Sequence, residues 1–179
     1  MSRVRIVGGE WRSRLLEVAN VPGLRPTPDR VRETLFNWLG QELDGMSCLD
    51  LFGGSGILGF EAASRGAERV VIVESDARAF TALRQAATSL QASQVELIRG
   101  DALKFAQTTS DRFDVVFLDP PYNKGWLERL EPLLGRLLKP DGWIYAESEA
   151  AVTELAGLST VKASRAGQVH FHLLHGRQE

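Results

Sequence analysis

One short run of the sequence carries the side chains for a specific reaction: Val115-Val116-Phe117-Leu118-Asp119-Pro120-Pro121-Tyr122. An apolar strand delivers an aspartate, two prolines and a tyrosine in succession. The prolines fix φ and remove two N–H donors, so the carbonyls around them keep a rigid direction. The Asp119 carboxylate and the Pro120 carbonyl together offer acceptors to the N–H groups of a planar amine. The lone pair of an amine conjugated to a ring is delocalised, which makes it a poor nucleophile. Accepting its hydrogens localises the pair and stabilises the positive charge that develops as a methyl group arrives. Tyr122 offers a flat surface for the ring, as needed for a base extruded from its helix. The expected catalytic set is therefore Asp119, Pro120, Pro121 and Tyr122. The plain alternative is a proline-stiffened loop with an incidental aspartate.

A second run suits a nucleotide: Asp50-Leu51-Phe52-Gly53-Gly54-Ser55-Gly56-Ile57-Leu58-Gly59. Glycines let the backbone turn sharply and approach a ligand, with a helix N-terminus close by. Gly54, Gly56 and Gly59 fit the dinucleotide fingerprint, and Glu74 follows at the distance of a ribose-binding acid. In Gly100-Asp101-Ala102, the Asp101 side chain can reach an adenine amine with Ala102 beside it in the cofactor site, although Asp101 equally suits a helix N-cap. Asp50, Gly54, Gly56, Glu74, Asp101 and Ala102 thus locate an adenosine without naming its reactive group. NAD and S-adenosylmethionine both remain open. Asp50 favours the latter, because a carboxylate beside the loop tolerates a sulfonium and repels a pyrophosphate.

These side chains need elements to hold them. Strands are expected at about 47–51, 69–74, 95–99, 113–118 and 142–147, with helices at about 56–65, 76–90, 102–107 and 125–138. Such alternation indicates βαβ units and a parallel sheet covered on both faces. Ligands of these sheets bind beyond the carboxyl ends of the strands, where the strand order switches. A short helix is expected near residues 149–155. Runs at about 159–164 and 168–175 then flank Ala166-Gly167 as a hairpin, so one of them runs antiparallel. The expected fold class is α/β, a doubly wound, Rossmann-like, mostly parallel sheet of seven strands with a terminal antiparallel hairpin.

The first residues differ in charge from the rest. Residues 1–34 carry seven arginines against four acids, while the remainder carries 14 basic and 19 acidic residues. A basic extension (residues 1–45) on an acidic domain (residues 46–179) suggests a polyanionic partner for the extension. Residues 3–7 and 11–18 flank Gly8-Gly9 as a hairpin with a two-residue loop. In that register Arg5 faces Arg12 and Arg3 faces Arg14, with Val4, Ile6, Trp11 and Ser13 on the other face. A helix follows, with Thr27 as N-cap, Pro28 in the first position, Val31, Leu35, Trp38 and Leu39 at helical spacing, and Gly40 ending the run. Arg30 and Arg32 fall outside its apolar stripe. Arg3, Arg5, Arg12, Arg14, Arg25, Arg30 and Arg32 are the candidate phosphate contacts.

No apolar run is long enough for a membrane span, no leader is recognisable, and the single cysteine, Cys48, suits a reducing compartment, so a cytoplasmic location without membrane association is expected. Cys48 reads as a buried apolar residue. His170 and His172 share a strand face and lack the companions of a metal site, so no metal is expected. Trp38 reads as core, while Trp126 and Trp143 flank the reacting end with no assigned role.

The segments RIVGGEWRSRLLEV, GLRPTPDRVRETLFNWL, DLFGGSGILGFEAASRGA, GDAL, LDPPY and RAGQVHFHLL together resemble the bacterial RsmD family. The resemblance spans nearly the whole chain, and the segments before residue 40 are its most specific part. It implies a class I methyltransferase fold, S-adenosylmethionine as cofactor, and methylation of the N2 amine of one guanine in 16S ribosomal RNA. By resemblance the substrate is the assembled 30S subunit, and a monomer is expected. Gly53 stands where the family more often has alanine. Three other readings stay open: a nicotinamide-dependent oxidoreductase, a non-catalytic RNA-binding assembly factor, and a methyltransferase for adenine N6 or a glutamine amide.

Overall fold

The computed structural model describes residues 2–176. From Ser47 onward, strands and helices alternate as β3 (Ser47–Asp50), α2 (Ile57–Ser64), β4 (Arg69–Glu74), α3 (Ala77–Leu90), β5 (Val95–Arg99), α4 (Ala102–Thr108), β6 (Phe113–Leu118), α5 (Trp126–Leu137) and β7 (Leu138–Ser148). Three further strands follow, β8 (Glu154–Leu155), β9 (Leu158–Ala166) and β10 (Val169–His175). The sheet order is β5-β4-β3-β6-β7-β10-β9-β8, with β3 to β7 parallel and β10 antiparallel to both β7 and β9. The doubly wound sheet with its terminal hairpin is therefore present. Its eighth strand replaces the helix expected near residues 149–155: Thr160 donates from its hydroxyl to the Val152 carbonyl at 2.7 Å and from its N–H to Thr153, holding that segment against β9.

The chain runs outward from β3 to β5 and then returns to β6 on the other side. The order switches between β3 and β6, the place where such sheets open a crevice. Alternation along the strands divides the core into two layers. Cys48, Val70, Ile72, Val115, Phe117, Tyr145 and Phe171 face α1 (Asp29–Leu39), α2 and the N-terminal hairpin. Leu49, Val71, Val116, Ile144 and Leu174 face α4 and α5. Cys48 is fully buried, and burial pushes its thiol up to about 12.

The hairpin consists of β1 (Ser2–Arg5) and β2 (Leu15–Val18), shorter than expected and in another register. Arg3 lies opposite Glu17 and Arg5 opposite Leu15, so no face of four arginines forms. The reason lies in Gly8-Gly9, which serves packing instead of a two-residue turn. A Cβ on Gly9 would sit 2.0 Å from the Ser64 carbonyl oxygen, and Gly9 has φ +79°. The chain at Val7, Gly8 and Trp11 thus lies directly on α2, where the Glu61 carboxylate accepts from the Val7 and Gly8 N–H groups and Ser64 Oγ accepts from Trp11. Val4, Ile6, Trp11, Leu16 and Val18 are buried in the same layer as Phe60 and Ile72.

Helix α1 buries Val31, Leu35 and Phe36, with Trp38 and Leu39 packed at its edge. Its N-cap is Pro28 instead of Thr27, with no side-chain cap bond. Arg32 departs most from expectation, being fully buried. Its Nε donates to the Thr27 carbonyl at 2.9 Å, and its Nη1 donates to the Arg5 carbonyl at 2.6 Å and to Glu61 at 2.9 Å. Its Nη2 pairs with Asp29. A guanidinium has five fixed donors and stays charged, so it suits a buried point where several acceptors converge. Arg32 therefore ties the hairpin, the loop before α1 and α2 together, and is not a phosphate contact.

Candidate functional site

The layer that is apolar in mid-sheet turns acidic at the carboxyl ends of its strands. Cys48 is followed two residues later by Asp50, Ile72 by Glu74, Phe117 by Asp119 and Tyr145 by Glu147. Period-two alternation puts all four acids on the face toward α1 and α2. Phe117 pairs with both Asp50 and Tyr145, which places these acids around the switch between β3 and β6.

The glycine loop is pinned at its second strand. Gly53 donates to the Val73 carbonyl at 2.8 Å, and Gly54 donates to Glu74 Oε1 at 2.7 Å. The other Glu74 oxygen accepts from Asp76 N–H at 2.7 Å. Gly56 is left-handed at φ +80° and N-caps α2, and a Cβ there would meet the Leu83 side chain at 2.4 Å. At Gly53 a Cβ would lie 2.7 Å from Ile72 Cγ2, so in this chain alanine needs that side chain to shift. Asp101 N-caps α4 through Lys104 N–H at 3.0 Å, next to the buried Ala102.

Asp50 is buried, and Phe52 N–H donates to it at 3.2 Å. Desolvation pushes its pKa up to about 7, with Asp119 and Glu74 adding repulsion. Burial likewise raises Asp119 to about 6 and Glu147 well above its usual range. An acid-lined crevice of this kind attracts a cation and repels a pyrophosphate. Of the two nucleotide readings, it fits S-adenosylmethionine.

Beyond Asp119, the Pro120–Gly125 segment turns, with Asn123 at φ 62° and Gly125 at φ 65°. Pro120 is buried, while Tyr122 is 40 % exposed and free to stack. Trp126, at the start of α5, meets Phe52 edge-on at 5.2 Å and lies under the Arg129 guanidinium. Trp143 instead stacks on His175 at 3.9 Å. His172 has both ring nitrogens engaged, with Ala146 O at 2.9 Å and Val152 N–H at 2.9 Å. Burial lowers its pKa, consistent with a neutral ring.

A family described as "Conserved hypothetical protein 95" matches residues 4–175. The chain belongs to this family. Its relatives include ribosomal RNA small subunit methyltransferase D of Escherichia coli, 40% identical across 96% of this chain and 89% of that protein. The protein of the same name from Haemophilus influenzae is 46% identical across 82% of this chain and 79% of its own length. A solved Escherichia coli structure, 39% identical, superposes with a TM-score of 0.89 over 99% of this chain and 100% of that one. The RsmD resemblance read from the motifs is thus established, and with it the methyltransferase class.

Two features of the site escaped the sequence reading. Glu61 is a lone acid in an otherwise apolar helix, ILGFEAAS, a pattern that marks a buried charge awaiting a partner. Glu147 ends Trp143-Ile144-Tyr145-Ala146-Glu147 as Asp119 ends its own strand. The neighbourhood of the two acids follows from strand order, which no local motif encodes.

Proposed function

We propose that this chain transfers a methyl group from S-adenosylmethionine to the N2 amine of a guanine in small-subunit ribosomal RNA, acting as a cytoplasmic monomer on the assembled 30S particle. Methylation of that RNA is the activity named for its relatives. The observation that supports the chemistry is the cluster of Asp50, Asp119 and Glu147 at the strand ends, with the exposed Tyr122 in the loop just beyond β6.

S-adenosylmethionine, when bound, supplies an electrophilic methyl group on a positively charged sulfur. The Asp50 carboxylate beside the glycine loop favours that charge. Glu74 retains lone pairs for ribose hydroxyls, and Asp101 keeps one oxygen outside its cap for an adenine amine. Tyr122 stacks on the extruded base. Asp119 and the Pro120 carbonyl accept from the target N–H groups and hold the amine in line, which supplies proximity and charge stabilisation. The proton leaves the amine after the methyl has arrived.

The deciding experiment is labelled methyl transfer onto unmodified small subunits and onto naked RNA, followed by nucleoside analysis. N2-methylguanine formed on subunits is expected. Methyladenine, labelled protein or no label would overturn this reading.

Arg3, Arg5, Arg12, Arg14, Arg25 and Arg30 are exposed, and they form the proposed RNA-contacting set. Arg14 also reaches the Ser89 carbonyl at 3.2 Å, which anchors that side chain on α3. The double variant Arg5→Glu/Arg12→Glu is expected to weaken RNA binding and leave cofactor affinity intact. Loss of two phosphate contacts lowers the slope of log affinity against log salt by roughly 1.5. Unchanged binding and unchanged slope would remove the hairpin from the interface.

A further inference from the structure

Glu147 is the acid the mechanism above does not use. It is 5 % exposed, at the carboxyl end of β7 beside Asp119. Leu118 pairs with Ala146, so the next residues of these two parallel strands, Asp119 and Glu147, stand side by side with their carboxyl groups on one face. Two carboxylates cannot hydrogen-bond to each other, because neither has a donor. A hydrogen bond between them requires that one carry a proton, and so does any relief of their mutual repulsion. The Thr27 hydroxyl donates to Glu147 Oε2 at 3.2 Å from the loop before α1. The Tyr145 hydroxyl is buried beside Glu147 without a well-formed hydrogen bond.

The groups around the pair come from every adjoining element. Asp50 faces Asp119 from β3, while Tyr122 and Glu149 lie near it from the loops. Phe171 of β10 pairs with Glu147, and alternation sends His170 and His172 to the opposite face. The guanidinium of Arg32 reaches the Thr27 carbonyl but forms its ion pairs with Asp29 and Glu61. The pair is thus surrounded by acids and hydroxyls, with its own proton as the source of neutralisation. Glu147 is buried while Asp119 is only half-buried, so ionising Glu147 costs more and the proton is assigned to it.

We infer that Glu147 is a positioning residue: a neutral carboxylic acid that donates to one oxygen of Asp119 and so aims the other, anionic oxygen at the target amine. Thr27 fixes the Glu147 carbonyl oxygen in the orientation this requires. The inference rests on the reading of Asp119 as the acceptor of the target amine. It makes one net negative charge available where positive charge develops, and fixes the Asp119 rotamer before the substrate arrives.

Glutamine reproduces a neutral glutamic acid, with an oxygen for Thr27 and an N–H for Asp119; leucine reproduces only the volume. On small subunits, Glu147→Gln is expected to keep near-wild-type kcat at neutral pH, and Glu147→Leu to lose roughly 100-fold in kcat with little change in KM. Wild-type kcat falls at alkaline pH as Glu147 gives up its proton, and Glu147→Gln lacks that decline. A Glu147→Gln variant as inactive as Glu147→Leu, or a fully active Glu147→Leu, would overturn the inference. A second readout is independent of turnover. In protein labelled with carbon-13 at glutamate carboxyls, the Glu147 resonance, assigned by its loss in Glu147→Gln, is expected at the protonated position at neutral pH. An ionised shift there refutes the role even if the RNA substrate is other than proposed, and absent wild-type methylation with a protonated Glu147 faults the substrate alone.

Discussion

Asp119→Ala is expected to lower methyl transfer by roughly 100- to 1,000-fold, the usual cost of removing a group aimed at developing charge. Cofactor affinity, read by calorimetry, should stay within a small factor, because Asp119 acts on the amine and touches Asp50 only through repulsion. Stability gives a second, opposite readout. Burial pushes the Asp119 carboxyl up to about 6 in the folded protein, above the usual carboxylate range. A raised carboxyl favours folding while it is protonated, and that contribution is lost as pH rises through the raised value. At neutral pH the ionised group is therefore a burden on the fold, and Asp119→Asn should raise Tm while it lowers kcat. A variant both less active and less stable would indicate that Asp119 holds the fold instead of the substrate.

Arg32→Met should cost about 3–5 kcal/mol of unfolding free energy, the typical effect of breaking a buried ion pair from one side. Most domains have only about 5–15 kcal/mol in total, so the loss would be visible as a large drop in urea midpoint. The guanidinium is fully buried and serves Thr27, Arg5, Asp29 and Glu61 at once. Its removal leaves Glu61 with Arg65 at 3.0 Å and two backbone N–H groups, and takes a donor from the buried Thr27 carbonyl and from the Arg5 carbonyl. Arg30→Met provides the contrast. That side chain is exposed, so its replacement should leave stability unchanged and weaken RNA binding. Equal midpoints for the two variants would refute the division of labour between neighbouring arginines.

The parallel sheet was legible because hydrophobic runs and glycine breaks are local signals. So were Asp50, Glu74, Asp101 and Asp119, since each ends a strand or opens a helix. Less visible were features set by partners distant in the chain. Thr27 has the composition of an N-cap, yet its hydroxyl goes to Glu147, 120 residues away. Arg32 has the composition of a surface cation, yet Glu61 draws it inside. Gly8-Gly9 has the composition of a tight turn, yet close approach to Ser64 sets its geometry. In each case a local preference of about 1 kcal/mol yields to burial and charge pairing worth several.

The carboxylate of Glu61 also bears on how such an enzyme changes target. An arm joined through surface contacts can be exchanged between catalytic bodies by a simple fusion. Here the arm inserts a cation into the body's interior and gives two backbone N–H groups to the same acid. A graft has to carry Arg32, the bare backbone at Gly9 and Glu61 together, or it leaves a buried charge short of its partners. The proposed RNA contacts are most simply altered at the exposed arginines, whose side chains take no part in that buried junction.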